Sequence, residues 1–367
     1  MNISLLRRVC ALPLLLLALA GSAHAVEVTD VLGRKVEVPA EPKRVVLGEG
    51  RLFFALALLD REAPFKRVVG WQNDMRLLDP HTYEVYAEQY PAIADLPLIG
   101  QASEQSVSAE QILALKPDLA VFSIAGEGPT QHSPVADLLA AAGIPVLFID
   151  FRVHPIKNTR VSLEALGKLL GREHEAQEYL SFYDRHLARI TDALVGLPEE
   201  QRPKVFLELL AGVWQAPGHT TGKSGLGGVV EAVGGRNIAA GVVPGALGDV
   251  SVEYVLTADP DVYIATGNRN PGVLLGAGVD EKTARDSLAK ITARPEFAPL
   301  RPIQNGQAHG LWHDFYNSPF NILAIENMAR WIHPERFADL DPQATQAEIN
   351  RFLAVGLDGH YWIDATP

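Results

Sequence analysis

Residues 107–121, VSAEQILALKPDLAV, return in the same register at residues 250–264 as VSVEYVLTADPDVYI, 143 positions further on. The copies share Val, Ser, Glu, Leu, Pro and Asp. Each reads as a short helix opened by an N-cap serine (Ser108, Ser251), then a Pro-Asp turn, then a β-rich apolar run that suits a buried strand. A spacing this long is outside the period of a solenoid or propeller, so the repeat predicts two related α/β lobes. A cleft between such lobes is a natural place for a ligand.

The first residues speak to compartment. Arg7 and Arg8 precede the apolar run Val9 to Ala20, and Ala23-His24-Ala25 supplies the small-x-small pattern of a cleavage site. An export signal is therefore expected over residues 1–25, with a soluble mature chain starting at Val26 in the periplasm. The run is shorter than the roughly 20 apolar residues that span a bilayer. Cys10 lies too early in it for a lipid anchor. It is also the single cysteine, so the mature chain is expected to use neither disulfides, thiolate metal sites nor a cysteine nucleophile. Without Arg7 and Arg8, 30 of the 32 basic residues remain against 44 acidic ones, which argues against nucleic acid or an anionic membrane as partner.

Strands and helices alternate along the rest. Lys43–Gly48 and Arg67–Trp71 read as strands around a helix Leu52–Leu59. Past the first repeat come helix Val135–Ala142, strand Pro145–Asp150 and helix Ile156–Leu170, closed by Gly171. Residues 172–198 predict one linking helix, with helical spacing and no proline from Arg172 to Val195 and a reach of about 36 Å. Strand Lys204–Leu210, helix Leu226–Val233, the second repeat and helix Asn321–His333 follow, then a last helix near Gln343–Val355. The expected fold is α/β: two Rossmann-like lobes with mainly parallel sheets, residues 26–171 and 199–367, the second carrying a C-terminal helical extension.

Several stretches resemble the periplasmic binding proteins of ABC importers for ferric siderophores, haem and cobalamin. VTDVLGRKVEVPAEPKRVV is similar to that family's opening hairpin and first strand, SAEQILALKPDLAVF and AAAGIPVLFID to its first-lobe units, and LGGVVEAVGGRNIA to its second-lobe helix and turn. The resemblance runs from about Val28 to Trp331. It implies two lobes joined by one long helix, limited lobe movement on binding, and a monomer that passes its ligand to an inner-membrane permease with its ATPase. It also implies that Glu110 and Glu253, at matching places in the two copies, meet arginines of the permease. A carboxylate one turn into a helix is also favoured by the helix dipole, which would account for either residue alone.

Ligand-facing loops are expected where the chain leaves the carboxyl ends of the strands. Arg51, Arg76 and Arg152 fall in such loops, and as a set they suit an anionic, oxygen-rich ligand. Taken singly, each is equally well a surface ion pair. Trp71, Trp214 and Trp312 offer flat apolar surface, or core packing. In the run HGLWHDFY the resemblance implies a ligand-facing His313 and Tyr316, which could complete the coordination of a ferric ion or ligate haem iron, and a structural His309; a loop histidine with its hydrogen bonds satisfied is the stronger reading of His313 by itself. A zinc site from His309, His313 and Asp314 is poor, since residues four apart converge only on a helix. PGHTTGKSG is one residue short of a phosphate-cradling loop, so Gly218, Lys223 and Ser224 do not read as a nucleotide site.

With no GxSxG elbow and no HExxH, catalysis finds little support. The expectation is a binding component of an importer with a ferric siderophore as ligand and no cofactor of its own. Haem, cobalamin or another metal chelate on the same fold is the first alternative. A periplasmic enzyme that hydrolyses or reduces a chelate is the second.

Overall fold

The computed structural model describes residues 25–214 and 216–364. The expected export signal, apart from Ala25, lies outside the described residues. The chain opens with an antiparallel hairpin, β1 (Ala25–Thr29) and β2 (Lys35–Pro39). Valines 28, 36 and 38 are buried while Glu27, Thr29, Lys35 and Glu37 face solvent, the period-2 pattern of a half-covered ribbon.

The first lobe is built on five parallel strands: β3 (Val45–Leu47), β4 (Val68–Gln72), β5 (Leu98–Gly100), β6 (Leu119–Ser123) and β7 (Val146–Ile149). Their spatial order is β5-β4-β3-β6-β7. Strands β3, β6 and β7 are buried at every position, as continuous β-branched and aromatic runs covered on both faces should be. Helix Pro155–Leu170 ends at Gly171, whose φ of +64° gives the left-handed turn that stops it.

The long helix runs Glu173–Ala193, a little shorter than expected, since Gly196 and Pro198 follow closely. It buries Ala176, Tyr179, Leu180 and Tyr183, one stripe at helical spacing. Two of these tyrosines bond to the second lobe, Tyr179 Oη donating to the Pro319 carbonyl at 2.7 Å and Tyr183 Oη to Asn321 Oδ1 at 2.8 Å.

The second-lobe strands are β8 (Lys204–Glu208), β9 (His219–Thr220), β10 (Arg236–Asn237), β11 (Gly248–Asp249), β12 (Val262–Gly267), β13 (Gly276–Ala277), β14 (Ala308–Trp312), β15 (Gly359–His360) and β16 (Trp362–Asp364). Five form a sheet in the order β10-β8-β12-β14-β16, while β9 pairs with β11 and β13 with β15. The duplication is visible in this order. The repeat strands β6 and β12 each lie beside the lobe's first strand, β3 or β8, and each is followed by the next parallel strand, β7 or β14. The repeat helices start alike, with Ser108 accepting from the Gln111 N–H and Ser251 from the Tyr254 N–H.

The C-terminal end departs from expectation. Its helix covers only Pro342–Ile349, and the chain then returns to lay β16 antiparallel along β14. A three-residue strand carries too little periodicity to be read in advance. Helices Pro80–Gln89 and Glu281–Thr292 are likewise additions to the expected elements. One apolar cluster is continuous through the first lobe, the long helix and the second lobe, with Phe54 meeting Trp312 and Phe320 edge-on at 6.1 and 5.7 Å.

Candidate functional site

In each sheet the strand order reverses beside the first strand, between β3 and β6 and between β8 and β12. Loops part at these switch points and leave a crevice. The two crevices face each other across a cleft of about 260 Å³. Gly126, Glu127 and Arg152 line it from the first lobe, and Leu210, Trp214, His219, Leu247, His313 and Tyr316 from the second. A larger hollow of about 720 Å³ lies over the start of the long helix. Its buried Arg67 is engaged by Asp60 and by the Pro42 and Leu170 carbonyls, and among the described residues no unpartnered buried donor lines that hollow.

The first-lobe wall is a charge network. Arg51 follows β3 in a single 3-10 turn, Gly50–Leu52, and is only 2% exposed. Its Nε donates to Asp74 at 2.9 Å, its Nη1 to Asp314 of the second lobe at 2.6 Å, and its Nη2 to Glu127. The close turn needs glycine at position 50, because a Cβ there would lie 2.6 Å from the Gln72 carbonyl oxygen. Arg152 follows β7 on a loop held by buried Asp150, which accepts from the backbone N–H groups of Arg152, Val153 and His154 at 2.7–2.9 Å. Its Nη2 donates to Glu49 at 2.9 Å and Glu127 at 3.0 Å, and its guanidinium lies 4.6 Å over the Tyr316 ring.

Two arginines thus face several carboxylates, and burial sorts the protons. Burial pushes the Glu49 carboxyl up to about 8 against the pull of Arg152. Asp79, buried and facing Asp314, is also pushed up to about 8. Burial acts upward on Glu127 as well, but Arg152 and Arg51 overcome it and hold that carboxyl well below the usual range. At neutral pH Glu49 and Asp79 are therefore protonated and Glu127 is ionised. Gly126 makes the Glu49–Glu127 approach possible, since its φ is +146° and a Cβ there would fall 2.1 Å from Glu49 Oε1.

The second-lobe wall is apolar and aromatic. Trp214 is half exposed and packs 4.8 Å from the His219 ring, whose Nδ1 meets Asp249 at 3.0 Å. His313 Nδ1 pairs with Thr266 Oγ1 at 2.9 Å, and burial pushes the imidazole down to about 3, so it stays neutral. Tyr316 lies 4.5 Å from the His313 ring, its phenol pushed up to about 12 by burial.

Of the residues singled out by sequence, Arg152, Trp214, His313 and Tyr316 line the cleft. Arg51 lies beneath it with all three guanidinium nitrogens engaged. Three assignments are corrected. Arg76 points away, donating to Tyr83 Oη at 2.6 Å and covering that ring. Trp71 packs edge-on against Phe53 and Phe65 in the first-lobe core, and Trp312 against Phe315 and Tyr361 in the second. Strand-end tryptophans on fully covered strands turn inward. His309 bonds Asp364 at 2.8 Å and stacks on Trp331, apart from His313. Among the described residues no group of three or more His, Cys, Asp and Glu is placed to hold a bare metal ion. The carboxylates Glu49, Asp74, Glu127 and Asp314 complete the site; the first three fall in the strand-end loops where a ligand is expected, but nothing in their spacing marks them as partners of the arginines. Glu110 and Glu253 are both exposed, one per lobe, in the first turns of the matching helices.

A family model described as periplasmic binding protein matches residues 76–311, more than half of the chain. Among curated proteins, a vitamin B12-binding protein of Yersinia pestis is 31% identical over 171 residues, covering 46% of this chain and 56% of that protein. The chain thus matches little more than half the length of this relative. Among solved structures, a TroA-like periplasmic binding protein, FepB, from Veillonella parvula superposes with a TM-score of 0.82 at 25% identity, over 93% of this chain and 100% of that one. A periplasmic heme binding protein from Pseudomonas aeruginosa shares the fold, with a TM-score of 0.56 at 20% identity over 89% and 99% of the two chains.

Proposed function

The chain belongs to the periplasmic binding protein family, and from that premise we propose that it captures a compact metal chelate of low net charge, a ferric siderophore of that kind in the first place, for an inner-membrane ABC importer. The observation behind this reading is the state of the arginines. Arg51 is spent on Asp74, Asp314 and Glu127, and Arg152 is paired with the same Glu127 and hydrogen-bonded to the protonated Glu49; two guanidinium groups thus face three carboxylates, and among the described residues the network leaves no uncompensated positive charge with which to neutralise a polyanion. Opposite them stand Trp214, Tyr316, His313 and Leu247, a surface suited to the flat flank of a neutral chelate. A cleft near 260 Å³ is at the small end for ligand sites, which favours a compact ligand.

A second reading, a corrinoid, draws on the vitamin B12-binding relatives. Members of this family are binding proteins rather than enzymes, and we assign no catalytic step. We place the protein in the periplasm on the strength of the expected signal over residues 1–25; among the described residues no helix is long and apolar enough to cross a membrane. Glu110 and Glu253 are the proposed contacts with the permease, setting orientation and on-rate through salt-sensitive attraction.

Titration of the protein with a neutral ferric trihydroxamate, an anionic ferric tris-catecholate, cyanocobalamin and haemin, followed by tryptophan fluorescence, tests the ligand. The trihydroxamate should bind one to one and be recovered unchanged, with the catecholate at least about tenfold weaker, a difference of ~1.4 kcal/mol. Tightest binding by the tris-catecholate or by haemin, or turnover of the chelate, would sink the reading; tightest binding by cyanocobalamin would replace it with the second.

A further inference from the structure

Within the charge network, Arg152 and Glu127 differ from the rest in facing the cleft while keeping hydrogen-bonding capacity. Among the described residues, Nη2 carries both side-chain hydrogen bonds of Arg152, while Nη1 has none and is not closed off; Nε, also unpartnered, is buried. The Tyr316 ring below and the Asp150-held loop behind fix the guanidinium in place. Glu127 receives Arg51 and Arg152 on the same oxygen, Oε2, and leaves 30% of its side chain exposed. Its backbone is pinned as well, the Gln72 amide donating to the Glu127 carbonyl at 2.8 Å. The first-lobe wall therefore presents one donor edge and one acceptor edge side by side, both rigid, opposite an apolar surface.

Three ligand groups meet such a pair differently. A carboxylate satisfies Arg152 but is set against the ionised Glu127. An ammonium satisfies Glu127 but is set against Arg152 and Arg51. A carboxamide places its carbonyl oxygen on the guanidinium and its N–H on the carboxylate, carries no charge, and leaves neither partner unpaired. Sites built to hydrogen-bond a neutral group reject analogues that leave a buried polar partner unmet. We propose that Arg152 and Glu127 together read a carboxamide on the periphery of the bound chelate, and that this pair sets which chelates the cleft accepts. The assignment rests on the cleft being the chelate site.

Three forms of one linear ferric trihydroxamate, ending in an acetamide, a carboxylate or an ammonium, isolate the pair from the metal. Calorimetric titration of the full-length protein should rank the acetamide form at least about tenfold tighter than either charged form. In Glu127→Gln, checked for intact folding by circular dichroism, the margin of acetamide over carboxylate should shrink to less than about threefold, because the repelling charge is gone. Equal binding of the three forms to the wild-type protein, or a charged form binding tightest, overturns the carboxamide assignment and leaves the chelate reading standing. Failure of all three to bind overturns both.

Discussion

The two walls of the cleft come from lobes with the same strand order around a repeated helix-strand unit, yet they carry opposite chemistry. On the first lobe, the loops after β3, β4, β6 and β7 supply Arg51, Asp74, Glu127 and Arg152, a buried ionic lattice that reaches across to Asp314. On the second, the loops after β8 and β14 supply Leu210, Trp214, His313 and Tyr316. The sheets and their covering helices are constrained by packing, so duplicated lobes diverge where strands end and loops are free to change. One wall has become the part that discriminates polar groups, and the other the part that supplies contact area.

Breaking the ionic wall should have the largest effect. Arg51→Met strands Asp74 and Asp314 as buried, unpaired carboxylates, and removing one member of a buried ion network costs roughly 3–5 kcal/mol. Urea denaturation should show a loss of that size; a loss under about 1 kcal/mol would mean that the lattice is not what joins the two walls. Arg152→Met keeps the fold but removes a charged donor worth about 1.5–3 kcal/mol, so affinity for a carboxamide-bearing chelate should fall by roughly 10- to 100-fold in calorimetry. On the opposite wall, Trp214→Ala should weaken binding by only ~0.5–1.5 kcal/mol, with the urea midpoint unchanged because the ring is half exposed. If Trp214→Ala costs more affinity than Arg152→Met, the division of labour is reversed.

The subtlest contrast is in pH, where the walls pull in opposite directions. Glu49 keeps its proton up to about 8 in the folded chain but loses it near its ordinary 4.5 when unfolded. The unfolded state binds fewer protons between those values, so Glu49 erodes stability as pH rises through that window. His313 is held down to about 3 from an ordinary 6.5, so the unfolded state binds more protons there and stability erodes as pH falls from 6.5 toward 3. Thermal melts should show Glu49→Gln flattening the alkaline limb and His313→Gln the acid limb. The same limb moving in both variants would contradict the assignment.

The fold was legible because it is written in long, redundant signals. Serine caps, the Pro-Asp turns, the 21-residue helix and the fully apolar strands each repeat one message over many positions. The polar wall was legible only in part. Arg152 could be placed because a loop after a strand end faces the cleft whatever its partners are. The pairing of Arg51 with Asp74, 23 positions away, and with Asp314, 263 positions away, has no local spacing to reveal it. Nor does the residue type say where a tryptophan turns: Trp214, in the loop past β8, is half exposed, whereas Trp312, the last residue of β14, is buried.

The apolar cluster that passes without interruption from one lobe to the other has a bearing on how the chain can be cut. A fragment comprising either half would present to water the surface around Phe54, Tyr179 and Phe320 that the other half now covers. Such pieces should clump or be digested rather than persist as separate modules, which makes this two-lobed chain indivisible.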